Sequence, residues 1–310
     1  MEISIIIPTC NRNKILLKTI ENTLEILPKI TSKYEIIVIN DGKEEFLFYH
    51  PNVKIYQNTK KGVASARNYG VSLSTYENLL LLDDDILLSY DALMQYKIFF
   101  KSSSSYNHCL NIKWKYTNEL INKCKKTNFG RYLITIGYVE MKGWMNNEHW
   151  IENSEYIVPN LASFALGLKK QIFKNVGGYN ESFPYSGFED FDFSLIINKQ
   201  GIKVLLNTTH TVFHNEEDRI EPNSWLQRRY REGATRAVYV KLTKDKSFEI
   251  RHFFVKKIIF SIIYRLNKIL VFKTKLLNFS RIFDFISFAI FNALAGAYIW
   301  KGYHDYEKKN

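Results

Sequence analysis

The sequence predicts an α/β protein built on a mostly parallel, twisted sheet flanked by helices, with a C-terminal helical appendage. Three observations lead there. Short β-branched runs alternate with helically spaced apolar residues through the first hundred positions, the pattern of a parallel sheet covered on both faces. Polar clusters follow three of those runs, and from Arg251 the chain becomes cationic and apolar together.

Residues 3–7 form the first strand and end in Pro8-Thr9-Cys10-Asn11-Arg12; Ile15, Leu16, Thr19, Ile20, Thr23, Leu24 and Leu27 then recur at helical spacing. Strands are expected at 35–40, 53–56 and 78–82, with a helix at 62–74 before the last of them. The fourth strand runs into Asp83-Asp84-Asp85. Between 101 and 158 the pattern weakens, and 132–139 is the one strand it suggests. Order returns at 160–169, followed by a helix from Lys170, the turn Gly177-Gly178, a helix over 189–200 and a basic helix over 225–242.

Composition narrows the function classes. The 310 residues carry a net charge of +12, of which +8 falls in 251–310, where 11 Lys/Arg face 3 Asp/Glu. Interleaved with Phe, Ile and Leu, that excess suits an anionic membrane surface, and no nucleic-acid partner is expected. Three widely spaced cysteines, Cys10, Cys109 and Cys124, fit neither a disulfide framework nor paired zinc ligands, and read as thiols in a reducing compartment. The first ten residues lack a basic leader and read as a strand.

Three carboxylates at a strand end repel one another unless a cation neutralises them, which favours a hard divalent ion shared with phosphate oxygens. An acidic surface turn is the plain alternative. Taken together, ISIIIPTCNR, EIIVINDG, KGVASARNYG, LLLLDDDIL, GGYNESF and FEDFDF resemble, in order and spacing, the inverting family-2 nucleotide-sugar glycosyltransferases with a GT-A fold. The likeness covers about residues 1–218, with Cys10 where that family often has Tyr.

The resemblance implies a metal-dependent transfer of a sugar from a nucleotide diphosphate, UDP by preference, to a saccharide or lipid-linked acceptor. It puts Thr9 and Asp41 at the nucleoside, Arg67 at the base or phosphates, Asp83 at the ribose and Asp85 on Mn²⁺ or Mg²⁺, with Asp84 as a competing ligand. Asp190 becomes the general base and Glu189 an acceptor-orienting group, while His214 resembles the histidine that completes the metal site in some relatives. Each has a structural alternative: Asp41-Gly42 as a turn, Thr9 as a helix cap, Glu189 and Asp190 as first-turn acids favoured by the helix dipole.

Residues 1–224 then form the catalytic domain, with 1–100 the nucleotide-binding half and 101–224 the acceptor half, and 225–310 a basic amphipathic helical region. The Gln-x-x-Arg-Trp signature of the family's processive polymerases is missing from Gln227-Arg228-Arg229-Tyr230-Arg231. In the tail, Val255, Ile258, Ile259, Ile262, Ile263, Leu266, Ile269 and Leu270 share one helical face, with Lys256, Lys257, Arg265 and Lys268 away from it. The apolar run at 285–300 is shorter than the ~20 residues of a spanning helix. A cytoplasmic protein bound peripherally to the inner membrane face through 251–300 is expected. The rivals are a sugar nucleotidyltransferase and a non-catalytic basic membrane or nucleic-acid-binding protein.

Overall fold

A computed structural model of the chain describes residues 1–145 and 150–309. In chain order its main elements are β1 (Glu2–Thr9), α1 (Asn13–Ile26), β2 (Lys33–Asn40), β3 (Val53–Gln57), α2 (Val63–Leu73), β4 (Asn78–Leu82), β5 (Ile86–Leu87), α3 (Tyr90–Lys101) and β6 (His108–Tyr116). There follow α4 (Asn118–Lys126), α5 (Asn128–Thr135), α6 (Met141–Trp144), β7 (Glu155–Val158), β8 (Ala165–Lys169), α7 (Lys170–Asn175), α8 (Phe188–Lys199) and β9 (Lys203–His214). The rest is helical: α9 (Pro222–Thr243), α10 (Phe254–Arg265), α11 (Asn267–Leu276) and α12 (Asp284–Lys309).

These elements divide into two compact units. The first comprises residues 1–115, 148–184 and 189–215, and the second 116–147, 185–188 and 216–310. The first holds a sheet of order β3-β2-β1-β4-β8-β6-β9-β5, with β7 on β9. Strands β1 to β4 pair in parallel, whereas β8 runs antiparallel to β4, and β7 and β5 antiparallel to β9. The sheet is therefore mixed. β1 and β2 are apolar on both faces and buried along almost their whole length, as helix-covered parallel strands require. Because β1, β2 and β4 point the same way, Thr9, Asn40 and Leu82 end at one edge, and the polar residues after them share it.

The second unit differs from the division at residue 224, because 116–147 joins the C-terminal helices. The expected strand at 132–139 is instead helix α5 over its first part, capped by Thr127, whose Oγ1 accepts from the Gly130 amide at 3.0 Å. Phe129, Tyr132 and Leu133 are buried at helical spacing, and the first two pack against Trp225 of α9 and Phe291 of α12. A paired contact of Arg131 with Asp284, both nitrogens at 2.6 Å, fixes the same junction. Period-four burial against α12 outweighs the local β propensity of Tyr, Ile and Val.

The tail's amphipathic helix breaks at Leu266 into α10 and α11. The apolar run at 285–300 lies within a helix of 26 residues. By length and composition Arg281–Lys308 could cross a membrane, yet Phe291, Leu294, Ala297, Tyr298 and Tyr303 are buried. The close approach of α12 to α9 depends on glycine: a Cβ on Gly233 would lie 2.0 Å from the Ile299 carbonyl oxygen, and one on Gly302 1.9 Å from that of Tyr230. Cys109 and Cys124 are buried free thiols, their pKa values pushed up by burial to about 12 and about 11.

Helix α2 seats on the parallel strands through Gly70, where a Cβ would meet Ile6 Cγ2 at 2.4 Å and Ile39 Cγ1 at 3.2 Å. Gly70→Val is expected to destabilise the fold by about 1–3 kcal/mol through overpacking. Urea denaturation checks this, and an unchanged midpoint would mean that α2 is not seated so closely.

Candidate active site

The edge formed by β1, β2 and β4 is where charge concentrates. Asp84 and Asp85 are 4% and 1% exposed, so each carboxylate needs a partner. For Asp84 the partners are internal: Thr9 Oγ1 donates to Oδ2 at 2.6 Å, and Arg12 Nη1 bonds closely to Oδ1. Thr19 also donates its hydroxyl to the Asp84 carbonyl at 2.7 Å. Asp84 thus ties β4 to β1 and α1, and Thr9, expected at the nucleoside, spends its hydroxyl on that tie.

Asp85 faces two ways. Arg12 Nη2 donates to Oδ2 at 2.8 Å, while Oδ1 lies 3.6 Å from His214 Nδ1. Strand pairing sets that distance, because β5 aligns Ile86 with His214, and the Asn215 amide donates to the Asp85 carbonyl at 2.7 Å. The imidazole is held between the Trp114 and Phe164 rings, at centroid distances of 4.5 and 5.6 Å. Two ligands about 2.1 Å from one ion subtend a separation of this size. A buried carboxylate oxygen and a ring nitrogen so spaced fit a divalent metal.

Asp41 follows the second strand. Its Oδ1 accepts from Asn58 Nδ2 at 2.8 Å and its Oδ2 from the Gly62 amide at 3.1 Å. It thereby braces the start of α2, where Gly62 holds a φ of +116°. The neighbouring Gly42 admits no side chain, since its Cβ would lie 2.3 Å from Asn11 Oδ1.

Helix α2 carries Arg67, which is 2% exposed. Its Nη2 donates to Asp83 Oδ1 and its Nη1 to Glu189 Oε1, both at 3.0 Å; Nη1 also lies 3.6 Å from Asp190 Oδ1. The reach to base or phosphates expected of Arg67 is not the geometry found, because both terminal nitrogens are held by the chain's own carboxylates. Arg67 joins the aspartate triplet to the Glu-Asp pair at the start of α8.

That pair is unequal. Glu189 is 1% exposed, whereas the Asp190 side chain retains 23%. Burial pushes the Glu189 carboxyl up to about 7, reinforced by the Asp190 charge and opposed by Arg67. Burial also raises Asp190, with Arg67 and Ser163 opposing. The Ser163 amide donates to Asp190 Oδ2 at 3.0 Å and its hydroxyl bonds closely to Oδ1. Ser163 in turn contacts the Tyr179 hydroxyl, and the Tyr179 ring lies 5.3 Å under the Arg67 guanidinium.

Tyr179 explains the Gly-Gly-Tyr segment. Asn68 brackets its backbone, accepting from the amide at 2.8 Å and donating to the carbonyl at 2.9 Å. A Cβ on Gly178, whose φ is +75°, would sit 2.6 Å from Asn68 Oδ1. Arg12, Asn68, Tyr179, Ser163 and Trp114 received no role from the sequence. Arg12, Asn68 and Tyr179 stand inside the segments that carried the resemblance; nothing local marks Ser163 or Trp114.

The chain is similar to proteins of one class. Residues 4–101 match the model described as glycosyl transferase family 2. Two curated relatives are each named an uncharacterized glycosyltransferase. One, from Rickettsia bellii (strain RML369-C), is 30% identical over 115 residues, covering 34% of this chain and 16% of the relative. The other, from Haemophilus influenzae (strain ATCC 51907 / DSM 11121 / KW20 / Rd), is 25% identical over 231 residues, 72% of each. Among solved structures, GalNAc-T7 with UDP, GalNAc and Mn²⁺ aligns with a TM-score of 0.52 at 16% identity, over 69% of this chain and 43% of that one. The mannosyltransferase PcManGT from Pyrobaculum calidifontis, in complex with GDP-Man and Mn²⁺, aligns with a TM-score of 0.53 at 12% identity, over 96% and 87%. The matched part is thus about one sixth of the Rickettsia relative and under half of GalNAc-T7. At these identities the structures establish the fold, which is GT-A.

The raised Glu189 pKa has a consequence for stability. A carboxyl that titrates near 7 when folded and near 4.5 when unfolded holds its proton longer in the folded state. Its contribution to stability is therefore full below about 4.5 and lost as pH rises towards 7. Glu189→Gln removes that slope, so its stability relative to the wild type should rise between pH 5 and pH 8 in urea melts. The opposite trend would mean that Arg67 outweighs burial and keeps Glu189 ionised.

Proposed function

We propose that this chain, whose residues 4–101 form a glycosyl transferase family 2 domain in a GT-A fold, transfers a sugar from a nucleotide diphosphate to an acceptor hydroxyl with inversion. The observation that carries the reading is the Arg67 bridge. It joins a nucleotide-side carboxylate, Asp83, to a carboxylate pair of which one member, Asp190, keeps part of its side chain exposed. In one in-line displacement Asp190 takes the acceptor proton, the acceptor oxygen bonds to the anomeric carbon, and the bond to the diphosphate breaks with its electron pair leaving on phosphate. Ser163 orients the Asp190 carboxylate, and a raised pKa gives it more basic strength than an ordinary aspartate. Glu189, too buried to meet substrate, positions Arg67.

Asp85 and His214 would hold Mn²⁺ or Mg²⁺, which when bound neutralises charge on the leaving diphosphate. By the resemblance Asp83 would meet the ribose, and Asp41 with the end of β1 at Thr9 the nucleoside, UDP being preferred. A saccharide or a lipid-linked sugar is the acceptor. A sugar nucleotidyltransferase would use the same nucleotide and metal but needs no base for an acceptor sugar hydroxyl, which Asp190 with its Ser163 clamp supplies.

Asp190→Asn should lower turnover by roughly 10²–10⁴-fold while leaving donor affinity near the wild type. Asp85→Asn should instead weaken donor binding in the presence of Mn²⁺. Calorimetry against UDP, GDP and dTDP, with a transfer assay on both variants, separates the two. Near-normal transfer by Asp190→Asn would move the base outside the Glu-Asp pair.

The same proposal places the enzyme at the cytoplasmic face of a membrane. Helix α10 buries no residue, so Val255, Ile258, Ile259 and Ile262 are exposed beside Lys256, Lys257 and Arg265. A cavity of about 730 Å³ lined by Lys125, Lys126, Arg131 and Arg281 adds cationic surface to the same unit. Deleting 251–300 is a poor test, because α12 supplies the core against α9. Reversing Lys256, Lys257 and Lys268 to Glu in the full chain should release it from anionic vesicles, and the wild type should dissociate as salt rises. Equal sedimentation of both forms would refute the membrane role.

A further inference from the structure

We propose that Arg12 is the resident counter-cation of the aspartate triplet and keeps its affinity for a divalent ion low until the donor diphosphate arrives. This rests on the metal reading of Asp85 and His214. Adjacent carboxylates buried to 4% and 1% exposure cannot both remain charged without a cation beside them. Arg12 supplies it, spanning the two with Nη1 on Asp84 Oδ1 and Nη2 on Asp85 Oδ2 at 2.8 Å. A planar fork suits this double contact, whereas an ammonium would serve one carboxylate at a time.

The backbone fixes where that fork begins. Asn11 adopts a left-handed conformation with φ of +54°. Arg12 is the N-cap of α1, and its carbonyl accepts from the amides of Ile15 and Leu16 at 2.9 and 3.0 Å. Asp85 is consequently shared, with the guanidinium on Oδ2 and the position facing His214 on Oδ1. A divalent ion entering on the Oδ1 side meets a fixed positive charge only a few ångströms away, in a site largely removed from water, where such repulsion is weakly screened.

A diphosphate reverses this balance, because its negative oxygens attract both Arg12 and the ion. Metal and nucleotide therefore favour each other's binding, and by linkage each raises the affinity of the other by the same factor. Arg12 makes that factor large by making the metal-only state unfavourable. Metal-only occupancy is suppressed, and the ion is taken up with the donor.

The test is an electron paramagnetic resonance titration of Mn²⁺ into the full chain, alone and with saturating UDP or GDP. In the wild type Mn²⁺ should bind weakly alone and much more tightly with nucleotide. Arg12→Met keeps the stem but not the charge, and should tighten Mn²⁺ binding in the absence of nucleotide by at least roughly tenfold, with the nucleotide-dependent gain reduced. Arg12→Lys, which keeps the charge but serves one carboxylate at a time, should fall between the two. Should Arg12→Met fold poorly without metal, Mn²⁺ should raise its melting temperature by more than that of the wild type. Unchanged or weaker Mn²⁺ affinity in Arg12→Met, with wild-type binding intact, overturns the role of Arg12 and leaves the metal site standing. Absence of saturable Mn²⁺ binding by any form, even with nucleotide, overturns both.

Discussion

Arg67 occupies a position that few charged side chains can: 2% exposed, with Asp83, Glu189 and Asp190 around it and the Tyr179 ring beneath. Three carboxylates this close would repel one another and lose hydration, so a guanidinium is the condition on which they can be brought together. The groups around it follow from that condition. Asn68 and Gly178 fix Tyr179, Tyr179 meets Ser163, and Ser163 clamps Asp190. The more exposed carboxylate of the pair is thus held by both the amide and the hydroxyl of Ser163.

Arg12 and Arg67 perform the same electrostatic task at two ends of the aspartate triplet. Asp83 goes to Arg67, Asp84 to Thr9 and Arg12, and Asp85 is shared between Arg12 and the side facing His214. Three adjacent residues of one type acquire three different environments because they leave the end of β4 in different directions. Sequence alone left Asp84 and Asp85 as competing ligands. Asp84 has both oxygens engaged within the chain, whereas Asp85 has one oxygen on Arg12 and the other 3.6 Å from His214 Nδ1.

The parallel half of the sheet was legible because its strands are buried on both faces and read as unbroken apolar runs, each followed by a polar cluster. The rest of the sheet was less so. β8 was anticipated, but β6 and β9 draw their places from pairings at long range, and Trp114 reaches His214 only through those pairings. The segment 132–139 misled because Tyr, Ile and Val favour strands locally, while α12, more than 140 residues away, decides the conformation of α5. Among the site residues, those in dense polar segments were identified by type. Their partnerships were not, since a guanidinium that binds phosphate and one that binds carboxylates look the same in sequence.

Helix α12 shows how an apolar sequence can have two readings that geometry separates. Its length and composition would allow it to cross a bilayer, and one of its faces packs on α9, with Gly233 and Gly302 bringing the two backbones together. An aliphatic side chain at either glycine would push the helices apart, so this face is shaped for protein. Exposed apolar side chains run from Phe253 through Ile269 to Phe285 in the first turn of α12, interspersed with Lys256, Lys257, Lys268 and Arg281. Short helices with mixed apolar and cationic surface suit the headgroup boundary, where lysine stems reach water while aliphatic groups stay dry. Within this unit α12 is thus the support that holds α9 in place.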